Sequence, residues 1–324
     1  MRVAVVDIGT NSTRLLIADV DRETGALEQL ARESRVTRLG EGVDASGALS
    51  DAAIDRVIAT LADYRAQIDA HDCETNLAVL TSAVRDASNG AAFAERVRDD
   101  FALNARVLRG EEEAQLTFLG AMSGRSTGSN ADGAGAGASA RAGADEPTVV
   151  IDIGGGSTEF IVGVGRTAGF HVSLQAGVVR MSERHIHTDP PEPRELQDLA
   201  ADVHQTFLDG LPYDERDPVT RGIAVAGTAT SAAAIDQELD PYDPERVDGY
   251  PLLLGAVELL LARLADIDEA RRREVVGLHP DRAPTIVAGM IVLSEAMRAF
   301  DLEQVEVSEH DILHGGALRL AGVG

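Results

Sequence analysis

Two stretches of the chain, "VVDIGTNSTRLLI" at residues 5–17 and "VIDIGGGSTEFIV" at 150–162, align without a gap. Asp7, Ile8, Gly9, Ser12 and Thr13 fall on Asp152, Ile153, Gly154, Ser157 and Thr158. The surroundings repeat as well. In the first half "RVAVVDI", "TRLLIADV" and "LEQLARESRV" read as three strands joined by short turns, and "TVVIDI", "TEFIVGV" and "GFHVSLQAG" do the same in the second. A duplicated unit of this kind constrains the chain to two similar halves. A cleft then lies between them, and the two aspartate-bearing turns face each other across it.

Each strand set is followed by alternating helices and strands. Ser50 can cap a helix whose Ile54, Val57, Ile58, Leu61 and Ile68 fall on one face. After it come a strand "NLAVLT", a helix "AAFAERVRDDF", a strand "ARVL" and a helix opening at "GEEEAQLTFLGAM". The second half offers a helix across 193–210, a strand "GIAVAG", a helix from "TATSAAAID", helices near 253–265 and 283–299, and a strand "QVEVS" before a last helix at about 309–321. Both halves are therefore α/β with a mixed sheet. The 324 residues also exceed what one compact core usually holds. Between the halves, residues 123–147 are nearly all Gly, Ala, Ser and charge, which reads as a flexible linker. The expected domains are 1–122 and 148–324, with the final helix free to pack back on the first domain.

Acidic residues number 54 against 29 basic ones, a formal charge of −25, and every basic residue is arginine. Nucleic acid is not an expected partner on that balance. Such an excess of acid repels itself over about 30 Å at 0.01 M salt but only about 3 Å near 1 M, so the composition suits a salt-rich interior. No apolar run approaches the roughly 18–20 residues of a membrane span, and the N-terminus reads as a strand rather than a signal peptide, so a cytoplasmic protein is expected. A single cysteine, Cys73, rules out an intrachain disulfide or a multi-cysteine zinc site and is expected to be a small buried hydrophobe.

The chemistry is concentrated in the two turns. Gly154, Gly155 and Gly156 follow a strand directly and expose backbone N–H groups, which accept phosphate oxygens. Ser157 and Thr158 add hydroxyls. Asp152 and Glu159 would repel a phosphate, and they make sense beside it if a divalent cation lies between. The glycines alone would equally serve a tight hairpin with Glu159 in solvent; the second aspartate-bearing turn favours phosphate and metal. In the first half Asn11 and Ser12 are the matching donors, and Arg14 stands where Glu159 does. Arg14 either lends charge to the site or sits on the surface.

The pair "DIGTNS" and "DIGGGSTEF", with "TSAVRDASNG", "GEEEAQLTFLGA", "GVVRMSERHI", "AGTATSAAAID" and "SEHDILHGGAL" in that order, resembles the exopolyphosphatase and guanosine-pentaphosphate phosphatase family. That family is a branch of the actin-like ATPase superfamily, and the resemblance spans nearly the whole chain outside the linker. It implies two actin-like, ribonuclease H-like domains. It implies Glu113 as the catalytic base, and Asp152 and Glu159 as metal-associated acids with Asp7 as their counterpart in the first half. Asn11, Ser12, Arg85, Gly154, Gly155, Gly156, Ser157 and Thr158 match phosphate-binding positions. The implied cofactor is Mg²⁺, or Mn²⁺, the implied substrates are polyphosphate or guanosine pentaphosphate, and the implied assembly is a homodimer. The family usually carries arginine where this chain has Gln115. Larger relatives append helical domains after the second lobe, so the chain is similar to the short members.

Two other readings remain open: an ATP-dependent small-molecule kinase of the same fold, and a non-catalytic module that binds a guanosine alarmone. Other polar clusters carry less. Glu111 and Glu112 suit the first turn of a helix through its dipole. His185 and His187 are expected in solvent. Arg180 and Glu183 are as suited to an ion pair as to substrate. "AGTATS" at 226–231 ends a strand and opens a helix, where it could receive an anion, contact a nucleoside or serve as a cap.

Overall fold

The computed structural model describes residues 1–123 and 146–323. Most of the expected linker, 124–145, lies outside the described residues.

The first half opens with β1 (Arg2–Ile8), β2 (Ser12–Val20) and β3 (Leu27–Val36), then α1 (Asp51–Ala70), β4 (Thr75–Leu80), α2 (Gly90–Phe101), β5 (Ala105–Val107) and α3 (Gly110–Ser123). The second runs β6 (Thr148–Ile153), β7 (Thr158–Val164), β8 (Thr167–Leu174), α4 (Val178–His185), α5 (Pro193–Gly210), β9 (Arg221–Val225), α6 (Ala226–Asp236), β10 (Pro251–Leu253), α7 (Leu254–Ala265), α8 (Ile286–Ala299), β11 (Gln304–Val307) and α9 (Ile312–Ala321).

The sheets repeat as the sequence does. One has the order β3-β2-β1-β4-β5, and the other β10-β11-β9-β6-β7-β8. In each, the first three strands are antiparallel and the following ones join in parallel, with β10 an antiparallel addition at one edge. Even the irregularities correspond: β2 slips register against β3 at Ile17/Ala18, and β7 against β8 at Val162/Gly163, which are aligned positions of the repeat. Two ribonuclease H-like halves with this strand order make the actin-like ATPase fold.

Burial explains the helices. Ser50 Oγ accepts from the Ala53 N–H at 3.3 Å and so starts α1. Its buried face carries Val57, Leu61 and Ile68 as expected, and also Tyr64, whose hydroxyl donates to the Thr13 carbonyl at 2.9 Å. With α2 it covers one face of the first sheet. The second sheet has α4 to α8 over one face, around Phe160 and Phe207. Cys73 is half-buried rather than buried.

The remaining faces are covered by exchange. Leu313, Ala317 and Leu318 of α9, from the second half, pack on Val3, Val5, Leu16 and Ala18 of the first sheet. Ala114, Phe118 and Ala121 of α3, from the first half, pack on Val150, Ile161, Ile223 and Val225 of the second. The two helices cross at Gly120 and Gly315. A Cβ on Gly120 would come 1.8 Å from the Asp311 carbonyl oxygen, and one on Gly315 would come 1.8 Å from that of Leu116. Only glycine admits backbones this close.

Candidate active site

Strand pairing sets the two turns. Asp7 stands directly across the β1–β2 ladder from Arg14, and Asp152 directly across β6–β7 from Glu159. Each turn is closed by the same bond, Gly9 N–H to the Ser12 carbonyl and Gly154 N–H to the Ser157 carbonyl, both at 3.0 Å. The Gly155 carbonyl accepts from Val179 and Arg180 N–H groups, while the N–H groups of Gly155 and Asn11 have no protein acceptor among the described residues. These amides are free for an anion.

The turns face each other across a cavity of about 80 Å³, whose lining includes Asp7, Asn11, Ser12, Glu113, Asp152, Gly154, Gly155, Ser157 and Glu159. That is room for one phosphoryl group and a water or two, not for a chain. Thr10 and Ser82, which share a hydrogen bond of 2.9 Å, line it too.

Three expected phosphate-binding residues are placed differently. Thr158 is buried, and its hydroxyl donates to the Ala176 carbonyl at 2.8 Å, away from the cavity. Gly156 borders a small neighbouring space, and its carbonyl accepts from Arg180 Nε at 2.7 Å. Arg85 does not line the cavity: its Nη1 donates to Glu113 Oε2 at 2.9 Å and to the Leu108 carbonyl at 3.1 Å. A guanidinium bound in this way serves the carboxylate beside it.

Burial dominates the electrostatics. It pushes the Glu113 carboxyl well above the ordinary carboxylate range, and the Glu159 charge adds to this while Arg85 opposes it. Asp152 is raised by burial and then by Glu159, against Arg14. Glu159 is raised by burial too, although hydroxyls of Ser157 and Ser173 donate to its Oε1 at 2.6 and 2.7 Å. Asp7 is raised by burial against Arg14.

Arg14 is not a surface residue. It is nearly buried and joins Asp7, at 2.6 Å, to Asp311 at the N-cap of α9. Despite its burial, Asp311 is held below the usual carboxylate range by Arg14 and by His314. Arg282 was not singled out by the sequence, because a lone arginine in "HPDRAPT" carries no motif. It lines the cavity, and a Cβ on Gly227 would come 1.7 Å from its Nη1. Its guanidinium has no hydrogen-bond or ion-pair partner among the described residues, and burial, with Arg14 nearby, lowers its pKa.

No three His, Cys, Asp or Glu side chains among the described residues form a metal cluster. Magnesium, however, is commonly held by one or two carboxylates together with substrate phosphates. Asp7 Oδ1 is buried with no hydrogen-bond partner, which fits a cation of that kind.

Elsewhere, Ala226 to Thr228 of "AGTATS" line the cavity, and Gln115 is exposed. His185 is half-buried against Asp202 at 2.8 Å rather than in solvent, while His187 is exposed as expected.

Residues 16–137 and 131–321 match the Ppx/GppA phosphatase family. The chain belongs to the Ppx/GppA phosphatases. It is 36% identical to exopolyphosphatase 2 of Mycobacterium tuberculosis over 337 residues, 99% of each chain. Among solved structures, a Ppx/GppA family member from Aquifex aeolicus superposes with a TM-score of 0.78 at 28% identity, covering 99% of this chain and 97% of that one. An exopolyphosphatase from Cytophaga hutchinsonii gives a TM-score of 0.83 at 26% identity, covering 100% and 99%.

Proposed function

We propose that the protein hydrolyses the terminal phosphoanhydride of inorganic polyphosphate. The observation that carries this reading is the position of Glu113. It opens α3 at the wall of a cavity sized for one phosphoryl group, its carboxylate braced by Arg85, facing two turns with free amides.

In this reading the N–H groups of Gly155 and Asn11, with Ser12 and Ser157, hold the phosphoryl oxygens. Arg282, which also lines the cavity, offsets charge. Glu113 orients a water for attack and takes its proton, and burial that raises its carboxyl above the ordinary range makes it a stronger base. Arg85 positions Glu113 rather than touching phosphate. Asp7, whose Oδ1 has no hydrogen-bond partner among the described residues, and Asp152 of the facing turn would hold Mg²⁺ or Mn²⁺ together with the substrate's phosphates, and the ion would supply charge neutralisation to the transferred group when bound. Phosphoryl transfer asks a protein mainly for such positioning and charge compensation.

The chain's similarity to exopolyphosphatase 2 supports the choice of substrate. Guanosine pentaphosphate ends in the same kind of phosphoryl group and is the alternative substrate. The test is phosphate release from polyphosphate, tripolyphosphate and guanosine pentaphosphate with Mg²⁺ or Mn²⁺ in molar KCl and no other nucleotide. Release from polyphosphate is the expected result. ATP consumption strictly tied to a small-molecule acceptor would replace this reading with that of a kinase.

A further inference from the structure

The terminal-phosphoryl cavity shares Arg14, Ala226, Gly227 and Arg282 with a second, adjoining cavity of about 410 Å³. Another adjoining space, beside Thr10, Ser82 and Gly155, is about 20 Å³, room for about one water. If the protein is a polyphosphatase, on which this inference rests, the phosphates behind the terminal one run into the larger cavity.

That cavity is poorly furnished for a polyanion. Arg14, Arg32 and Arg282 line it, but so do Glu33, Glu309 and Asp311. Two of the three cations are already committed, Arg14 to Asp7 and Asp311, and Arg32 to Glu309. Only Arg282 has no hydrogen-bond or ion-pair partner among the described residues. Glu309 is clamped from both halves: Arg32 on β3 donates to Oε2, and the Tyr242 hydroxyl donates to Oε1. It is 7% exposed, so this carboxylate stays where it is held.

Each further phosphate of a polyphosphate brings about one negative charge. The first of these meets Arg282; the next meet a cavity wall whose remaining arginines are cancelled. Like charges brought together in a partly buried site discriminate strongly, and salt screens them less than it screens the outer surface.

We propose that Glu309 is the residue that limits chain length. By cancelling Arg32 inside the second cavity it makes the site favour substrates of a few phosphates over long polyphosphate. Tyr242 acts as its positioning residue.

The test compares initial rates of phosphate release from tripolyphosphate and from long-chain polyphosphate, matched in chain ends at fixed ionic strength. The wild-type kcat/KM should favour tripolyphosphate. Glu309→Gln keeps the shape, with its amide oxygen accepting from Arg32 and its NH2 donating to the Tyr242 hydroxyl oxygen, but frees the Arg32 charge, so the ratio of long-chain to tripolyphosphate kcat/KM should rise about tenfold or more, through KM. Glu309→Asp, which keeps the charge, should leave that ratio near wild type. Arg32→Gln leaves the carboxylate uncompensated and should move the ratio the other way, which keeps the proposal testable if Glu309→Gln does not fold. A wild-type ratio near one, or a ratio unmoved in both Glu309→Gln and Arg32→Gln, overturns the proposal. No release from either substrate overturns the proposed function itself, a result distinct from an unmoved ratio.

Discussion

The Arg85 guanidinium and the Glu113 carboxylate meet at 2.9 Å, bringing a residue just after β4 to the first turn of α3. The pair gives the buried acid a fixed direction. Glu113→Gln keeps the shape and removes the base, so kcat should fall by about 10² to 10⁴, the usual worth of general-base help, with KM little changed. Near-normal turnover would remove Glu113 from the mechanism.

Arg85→Gln tests the same pair from the other side. Arg85 is what opposes the upward shift of Glu113. Without it the acid binds its proton more tightly, so the acidic limb of the kcat/KM profile should move to higher pH, with turnover lost below it. An unmoved limb accompanied by a large rise in KM would instead make Arg85 a phosphate ligand.

Asp7, Glu113, Asp152 and Glu159 all have carboxyls raised by burial. A raised acid stabilises the fold in its neutral form. That contribution is complete below the unfolded value of about 4 and is lost as pH rises through the raised folded values. Without divalent cation, thermal stability should therefore fall as pH rises above about 5, and Mg²⁺ should flatten the trend if these acids hold it. Melting temperatures across pH with EDTA and with Mg²⁺ give the comparison, and Asp152→Asn should reduce the slope.

Arg14 lies between Asp7 and Asp311, and all three are close to buried. Arg14→Leu would leave two carboxylates in the interior without their cation, a loss of about 3–5 kcal/mol. Denaturant unfolding measures it. Adding Asp311→Asn should recover part of the loss, because one uncompensated charge is then gone.

The formal charge of −25 predicts that melting temperature rises between dilute buffer and molar KCl. A flat or falling response would show that the acid excess is not held in check by screening.

Much of the fold could be read because its signals are local. The repeated turns, the strand triplets that contain them and the Ser50 cap each sit within a few residues, and the structure has them at nearly those bounds. What escaped the sequence depends on partners far along the chain. β10 is three residues long and begins with Pro251, so an edge strand was indistinguishable from a loop. The α3 sequence shows an apolar surface but not which sheet it covers. Arg85 carried a phosphate-binding expectation because its motif does not reveal that the acid of a later helix will reach it first. Arg282 becomes visible only once α8 and the turn before it are folded against Gly227.

The exchange of α3 and α9 gives the duplication a further meaning. Each half supplies the lid on the underside of the other's sheet, and the two lids touch where glycine leaves no side chain to separate them. The ancestral symmetry is therefore interlocked. Neither half carries the whole cover of its own sheet, and the acid that would activate water is delivered by the same helix that fastens the halves together.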